Sequence, residues 1–303
     1  MKIVKFLNER RKIFICLIFF FLSLNDSFAT TIIASGSPET EDGCGENCSW
    51  TLFDDGTFEI SGTGAMFDYS VKSGTQTTWV VDNAPWADYI EKIKNLSISS
   101  DITSIGKSAF SGATALTTLD VPNNIRSIGR MAFDGAKIQK LILPDTLTNI
   151  GAWAFSDNFS LASNIPSSVT TISTGSFYQN KFNHLIIPDS VTEIQNYAFD
   201  KSELQFVIMG DQIVSIAENA FGRIEKIYCT GNLEKCKQNV GEIYAPKVQQ
   251  AEKKQINGVT YYTDKNGNII AMSGERKNKR IYTVEEATLV SKPTGNTFKI
   301  KYK

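Results

Sequence analysis

Histidine is almost missing from this 303-residue chain, and His184 is the only one. A Ser-His triad, a Cys-His pair or a histidine-based metal site would have to be built on that single residue. Cysteine is scarce too, and five are too few for a disulfide-dense scaffold. There is no phosphate loop and no dinucleotide fingerprint. The one long apolar run, Ile13 to Leu24, falls short of the roughly 20 residues that a membrane-spanning helix needs. These absences point away from an enzyme and from a bound cofactor, metal or nucleic acid. What remains is 42% hydrophobic and 21% charged. That composition argues against a disordered chain, a collagen or a multi-span membrane protein, and the length allows about one to two domains.

Residues 1–29 read as an address. Lys2, Lys5, Arg10, Arg11 and Lys12 stand against one acid, Glu9, ahead of the apolar run. Asn25 and Asp26 end that run, and Ser27-Phe28-Ala29 supplies small residues where a signal peptidase reads. The order predicts a secretory signal peptide cleaved after Ala29, with Cys16 leaving in it. The expected location is secreted, cell-surface or periplasmic. The net charge of −1 averages three unlike segments: +3 over 1–29, −11 over 30–246 and +7 over 247–303. A basic tail of this kind offers contact with an acidic polymer or membrane surface, sensitive to salt. The simpler reading is a soluble module whose lysines face water.

Cys44, Cys48, Cys229 and Cys236 remain in the mature chain. An even number in an exported protein suggests disulfides, and four cysteines allow three pairings. Local pairing, Cys44 with Cys48 and Cys229 with Cys236, is the simplest. A four-cysteine zinc site is disfavoured because neither spacing is a two-residue knuckle.

The middle of the chain repeats. Phe110, Phe133, Phe155, Phe177, Phe199 and Phe221 are spaced by 23, 22, 22, 22 and 22 residues. Five positions earlier stand Ile105, Ile128, Ile150, Ile172, Ile194 and Ile216, and directly before each Phe is Ala or Ser. Pro122, Pro144, Pro166 and Pro188 recur in the same register, each following a short strand-like segment such as Leu141-Ile142-Leu143. No unit buries its Ile and Phe alone, so stacking must join them into continuous ladders inside a coil. The small residue beside Phe marks a place where the coil is narrow. The strands should be parallel, one short strand per coil.

Units such as Leu141-Ile-Leu-Pro-Asp-Thr-Leu-Thr-Asn-Ile-Gly-Ala-Trp-Ala-Phe155 resemble the BspA-type, or treponemal-type, leucine-rich repeat. Cys44-Gly-Glu-Asn-Cys-Ser-Trp50, Asp55 to Met66 and Ala84-Pro-Trp86 resemble the segment that often precedes such repeats. The resemblance covers roughly residues 43–240. Repeat three departs from it, with Ser163 where its neighbours have Leu. It implies a leucine-rich-repeat solenoid from an exported or surface protein, adhesin-like and not enzymatic, with no particular ligand carried over.

The resulting layout is an N-terminal cap over 30–92, about seven coils over 93–240, and a linker with a small basic mixed α+β module over 241–303. Trp50 to Phe53 and Thr57 to Ile60 read as a hairpin capping the first coil. Val248 to Ile256 reads as a polar linker or short helix. Val259 to Thr263 and Ile269 to Met272 read as a second hairpin through Asn266-Gly267, with a plain turn favoured over a calcium loop. Thr283 reads as a helix cap, and Phe298 to Tyr302 as a last strand.

Residues outside the leucine positions of each strand face away from the coil. Two positions before the proline site these are Ser97, Asp120, Ile142, Asn164, Ile186, Ile208 and Tyr228. Four positions before it run Asn95, Thr118, Lys140, Ala162, His184, Phe206 and Lys226. The columns turn apolar toward the C-terminal half. An apolar stripe on an exposed sheet marks contact with something. Ile142, His184, Ile186, Phe206, Ile208 and Tyr228 are therefore the expected partner-binding strip for a protein or surface macromolecule, unless the C-terminal tail folds over it. Asp54 and Asp55 read as turn residues, and Asp145 and Asp189, each following a proline at the same repeat phase, as structural, not as a converging glycosidase pair. A secreted hydrolase on a solenoid scaffold, or an envelope component held by the basic tail, are the alternatives.

Overall fold

The computed structural model describes residues 30–73, 79–159, 165–256, 259–273, 287–289 and 300–302. The expectations for the signal peptide, for Ser163 in repeat three and for the helix capped by Thr283 lie outside the described residues.

The N-terminal part is an antiparallel sheet of β1 (Ile32–Gly36), β2 (Asn47–Phe53) and β3 (Thr57–Ala65). The expected hairpin is β2–β3, turning at Asp54 to Gly56. A small side hairpin follows, β4 (Val71–Ser73) with β5 (Trp79–Val81). β3 then pairs in parallel with two strands of the first coil: Thr57 to Ile60 with β6 (Asn95–Ile98), and Gly64 and Ala65 with β7 (Ile102–Ile105). One long strand thus caps the starting edge. Gly62 and Gly64 take positive φ at the corner, and a Cβ on Gly62 would sit 2.0 Å from the Asn47 carbonyl oxygen.

Among the described residues five of the expected strands are formed, and the structure adds a second strand of two residues at the isoleucine position. The expected strands are β8 (Thr118–Asp120), β10 (Lys140–Ile142), β13 (His184–Ile186), β15 (Phe206–Met209) and β17 (Lys226–Cys229). The added ladder is β9 (Ser127–Ile128), β11 (Asn149–Ile150), β12 (Thr171–Ile172), β14 (Glu193–Ile194) and β16 (Ser215–Ile216). All pairings between coils are parallel. These short strands pair in two parallel runs, β7–β9–β11 and β12–β14–β16, in which each isoleucine is held in register by a neighbouring coil.

The phenylalanines stack as expected. Successive rings from Phe110 to Phe221 lie 5.4 to 5.7 Å apart with interplanar angles of 14° or less. The Ala or Ser before each ring is fully buried, which bears out the narrow coil. From Phe110 to Phe199, each Phe N–H donates to the carbonyl of the Ala or Ser one coil further on, at 2.7 to 2.9 Å. This stitch leaves one carbonyl over at the start and one N–H over at the end. Aromatic residues with polar handles take both. Trp86 stacks on Phe110 and its Nε1–H donates to the Ala109 carbonyl at 2.9 Å. Tyr244 packs edge-on against Phe221, accepts from the Phe221 N–H at 3.3 Å and donates to the Glu218 carbonyl at 2.7 Å.

The C-terminal end is closed by α1 (Leu233–Asn239) and α2 (Gly241–Tyr244). Asn232 caps α1 by accepting from the Lys235 N–H. Disulfides join Cys44 to Cys48 and Cys229 to Cys236, the local pairing. Val248 to Ile256 is neither linker nor helix but the strand β18 (Val248–Ile256), paired in parallel with β17. β19 (Val259–Asp264) and β20 (Ile269–Ser273) extend it antiparallel. The Asp264 carboxylate accepts from the N–H groups of Asn266 and Asn268 at 2.9 Å, the plain turn expected there. β21 (Ala287–Leu289) and β22 (Ile300–Tyr302) form a separate antiparallel pair.

Candidate binding groove

The expected strip divides into two halves. Its N-terminal half is open and polar, with Asn95, Ser97, Thr118, Asp120 and Lys140 exposed beside Ile142, itself 37% exposed. Its C-terminal half is apolar and covered by the chain's own tail. Ile208 and Tyr228 are buried in a cluster with Ala251, Tyr262 and Ala271, against which Ile186 and Phe206 are packed. His184 stacks on Phe206 at 5.3 Å and is half-buried. Lys253 of β18 reaches back to Asp189 at 3.2 Å and pins the tail there. The structure therefore corrects the assignment of Ile208 and Tyr228 to a partner surface. These columns turn apolar because a hairpin of the same chain packs on them. A lysine at Ile208 would place an ammonium in that cluster instead of testing a free surface.

The turns around the phenylalanines build a different surface. Two residues per turn take the left-handed conformation in coil after coil. Two positions before Phe these are Ser108, Met131, Trp153, Gly175 and Tyr197; two positions after it they are Gly112, Gly135, Asp157, Gln179 and Lys201. Met131 and Trp153 of the first column and Gly135, Asp157, Gln179 and Lys201 of the second line one groove of about 490 Å³. Trp79 on β5 stands at one end, and Lys201 lies four coils along from Gly112. The side hairpin is anchored beside the first turn, where Ser111 Oγ donates to the Trp79 carbonyl at 2.8 Å.

Trp153 is the central group. A Cβ on Gly175 would lie 2.4 Å from its ring, so the missing side chain in the next coil is the space the indole occupies. Tyr178 meets the indole edge-on at 5.3 Å, and Tyr197 stacks beyond it at 6.3 Å. Polar groups surround this platform. Asp157 pairs with Lys137 at 2.5 Å and accepts from the Gln179 amide at 3.3 Å. Burial pushes the Asp134 carboxyl up to about 6, against a Ser156 hydroxyl bond that favours the charged form. The Lys201 ammonium is held above its usual range by its bond to the Tyr178 hydroxyl, and it lies over that ring at 5.2 Å.

Sequence reading missed the whole groove. Its residue types differ from coil to coil, so no repeated letter marks it. Aligning the chain on the phenylalanines and reading the positions two before and two after would have brought Trp153, Asp157, Gln179 and Lys201 into two columns. Of the acids set aside as structural, Asp55 accepts from the Thr57 N–H at 2.8 Å within its turn, whereas Asp54 accepts from Thr31 Oγ1 of the adjoining segment at 2.5 Å and Asp145 from the Ser167 N–H of the next coil at 3.2 Å.

Comparison with known proteins bears on the repeat. A leucine-rich repeat protein from Eubacterium ventriosum is 22% identical, with a TM-score of 0.49 over 65% of this chain. The match spans 62% of that protein's length. A leucine rich cell surface protein from Faecalibacterium prausnitzii is 17% identical, with a TM-score of 0.32 over 61% of this chain and 74% of its own. The leucine-rich repeat protein of T. pallidum is 21% identical, with a TM-score of 0.27 over 61% of this chain and 84% of its own. No curated protein matches. The family model described as BspA type leucine rich repeat region matches residues 87–165 and 160–242 in six copies. With that match over half of its length, and the phenylalanine and isoleucine ladders in the same coils, the chain belongs to the BspA-type leucine-rich repeat family.

Proposed function

We propose that this chain is a secreted or cell-surface binding module, adhesin-like, whose ligand occupies the groove beside the phenylalanine turns. The observation that carries this reading is the Trp153 platform: a half-buried indole fitted over Gly175 in a groove it shares with Tyr178, Gln179, Asp157 and Lys201. A concave site that combines aromatic area with a few directed polar groups suits recognition. The position on the rigid turns of a stacked solenoid holds those groups in place without a ligand.

A hydrolase is the second reading, and one observation favours it: Asp134 has its carboxyl raised to about 6 in the same groove. General acid catalysis uses such a group. Against it, the neighbouring Asp157 is tied to Lys137 and Gln179, and leucine-rich repeat proteins are typically scaffolds without chemistry.

A capture experiment tests the proposal. The mature protein is immobilised and exposed to host extracellular and bacterial surface fractions. Trp153→Ala should remove most of the capture, and Ile142→Lys on the open half of the sheet should leave it unchanged. Loss with the Ile142 variant and retention with the Trp153 variant would move the site back to the sheet.

A further inference from the structure

We infer that the groove takes a neutral, extended oligosaccharide; this names the ligand class for the binding reading above and rests on it. A pyranose ring has an apolar C–H face that a flat aromatic side chain covers, and a rim of hydroxyls that need directed partners. Both are present. Trp79, 48% exposed, and the half-buried Trp153 and Tyr178 supply ring area in one cleft. The exposed Gln179 and Arg130 beside them supply an amide and a guanidinium able to address neighbouring hydroxyls.

Charge selects against a polyanion or polycation. Arg130 and Lys201 line the groove together with Asp134 and Asp157, and Asp157 is already neutralised by Lys137 at 2.5 Å. With that pair cancelled, two cations face one carboxylate, which leaves a single net positive charge and no extended field of one sign to hold a charged polymer. A peptide strand is disfavoured for another reason. The backbone N–H groups of Trp153, Asp157 and Gln179 are spent on carbonyls of the next coil at 2.9 Å, so the groove offers them no ladder to add to.

Period points to a chain of sugars. The lining positions recur once per coil, and the phenylalanine rungs beneath them are 5.4 to 5.7 Å apart. That spacing is close to the length of one pyranosyl unit in an extended, equatorially linked glycan, so successive sugars meet equivalent turns. The side chains are also costly where they stand. Glycine fits the left-handed position best, and Gly112 and Gly135 occupy it in the first two coils. Asp157, Gln179 and Lys201 hold it in the next three, over the groove.

The test titrates the full mature chain with cellohexaose, chitohexaose and xylohexaose, following tryptophan fluorescence. At least one should give a saturable shift. Gln179→Ala, which leaves the aromatic platform in place, should weaken it about tenfold, or about 1.4 kcal/mol. Trp153→Ala should weaken it further, and Ile142→Lys should not change it. Thermal melts of each variant separate lost binding from lost fold. No shift with any of the three at about 10 mM, where a site of millimolar affinity would be mostly filled, overturns the oligosaccharide assignment. If Trp153→Ala then still abolishes capture from surface fractions, the groove remains the binding site and only the ligand class fails. If capture also survives that substitution, both fail.

Discussion

At the scale of single residues, the cost of a side chain shows what it is for. Asp134 is buried beside Ser156, with Asp157 raising its carboxyl further and Lys137 and Arg130 offsetting part of that rise. A carboxyl held at about 6 when folded, against an ordinary 3.8, binds its proton more tightly in the folded chain. Its contribution to stability is full below the unfolded value and is lost as pH rises through the folded one. Asp134→Asn, which keeps a partner for Ser156, should therefore raise stability at pH 7, on the order of 1–2 kcal/mol. It should also flatten the fall in stability between about pH 4 and pH 6. Urea denaturation at a series of pH values checks this, and an unchanged slope in that window would contradict it. Buried asparagines carry a related role. Asn158 accepts from the Ile138 N–H at 2.7 Å and donates to the Phe133 carbonyl at 2.8 Å, and Asn180 donates likewise to the Phe155 carbonyl.

At the scale of the element, a coil is incomplete without its neighbours, and the ends carry the consequence. Tyr244 stands where a seventh phenylalanine would, and its hydroxyl replaces the next coil's carbonyl for the Phe221 N–H. Tyr244→Phe keeps the ring and removes that bond, and with it the donor to the Glu218 carbonyl. The expected loss is about 1–3 kcal/mol by denaturant unfolding. Tyr197→Phe, at a ring that is 41% exposed, should change stability by less than about 0.5 kcal/mol. Equal effects of the two would mean that Tyr244 is no cap. The repeat was legible because Phe, Ile and the small residue before Phe recur at one phase and are buried for one reason. The N-terminal cap hairpin was legible as well, but the ends of the phenylalanine stack were not, because Trp86 and Tyr244 do the same work with different letters. The second strand of each coil was missed since two residues make no periodic signal.

At the scale of the molecule, the outer face of the sheet and the groove exchange roles relative to the sequence reading. The alternation that picked out Ile186, Ile208 and Tyr228 was real, and it did mark a contact, one made by β18 to β20 of the same chain. Lys253 and Asp189 are 64 residues apart, and no local pattern links them. The groove escaped for the opposite reason. It is local in space within each turn, but its shape depends on left-handed residues that differ in type from coil to coil. Hydroxyl-radical footprinting of the mature protein, with and without a bound surface-fraction or oligosaccharide ligand, tests most directly which face binds. The expected result is protection of Trp79, Trp153 and Tyr178 with the reactivity of Ile142 unchanged; protection of Ile142 with those aromatic side chains still reactive would contradict the assignment of the groove.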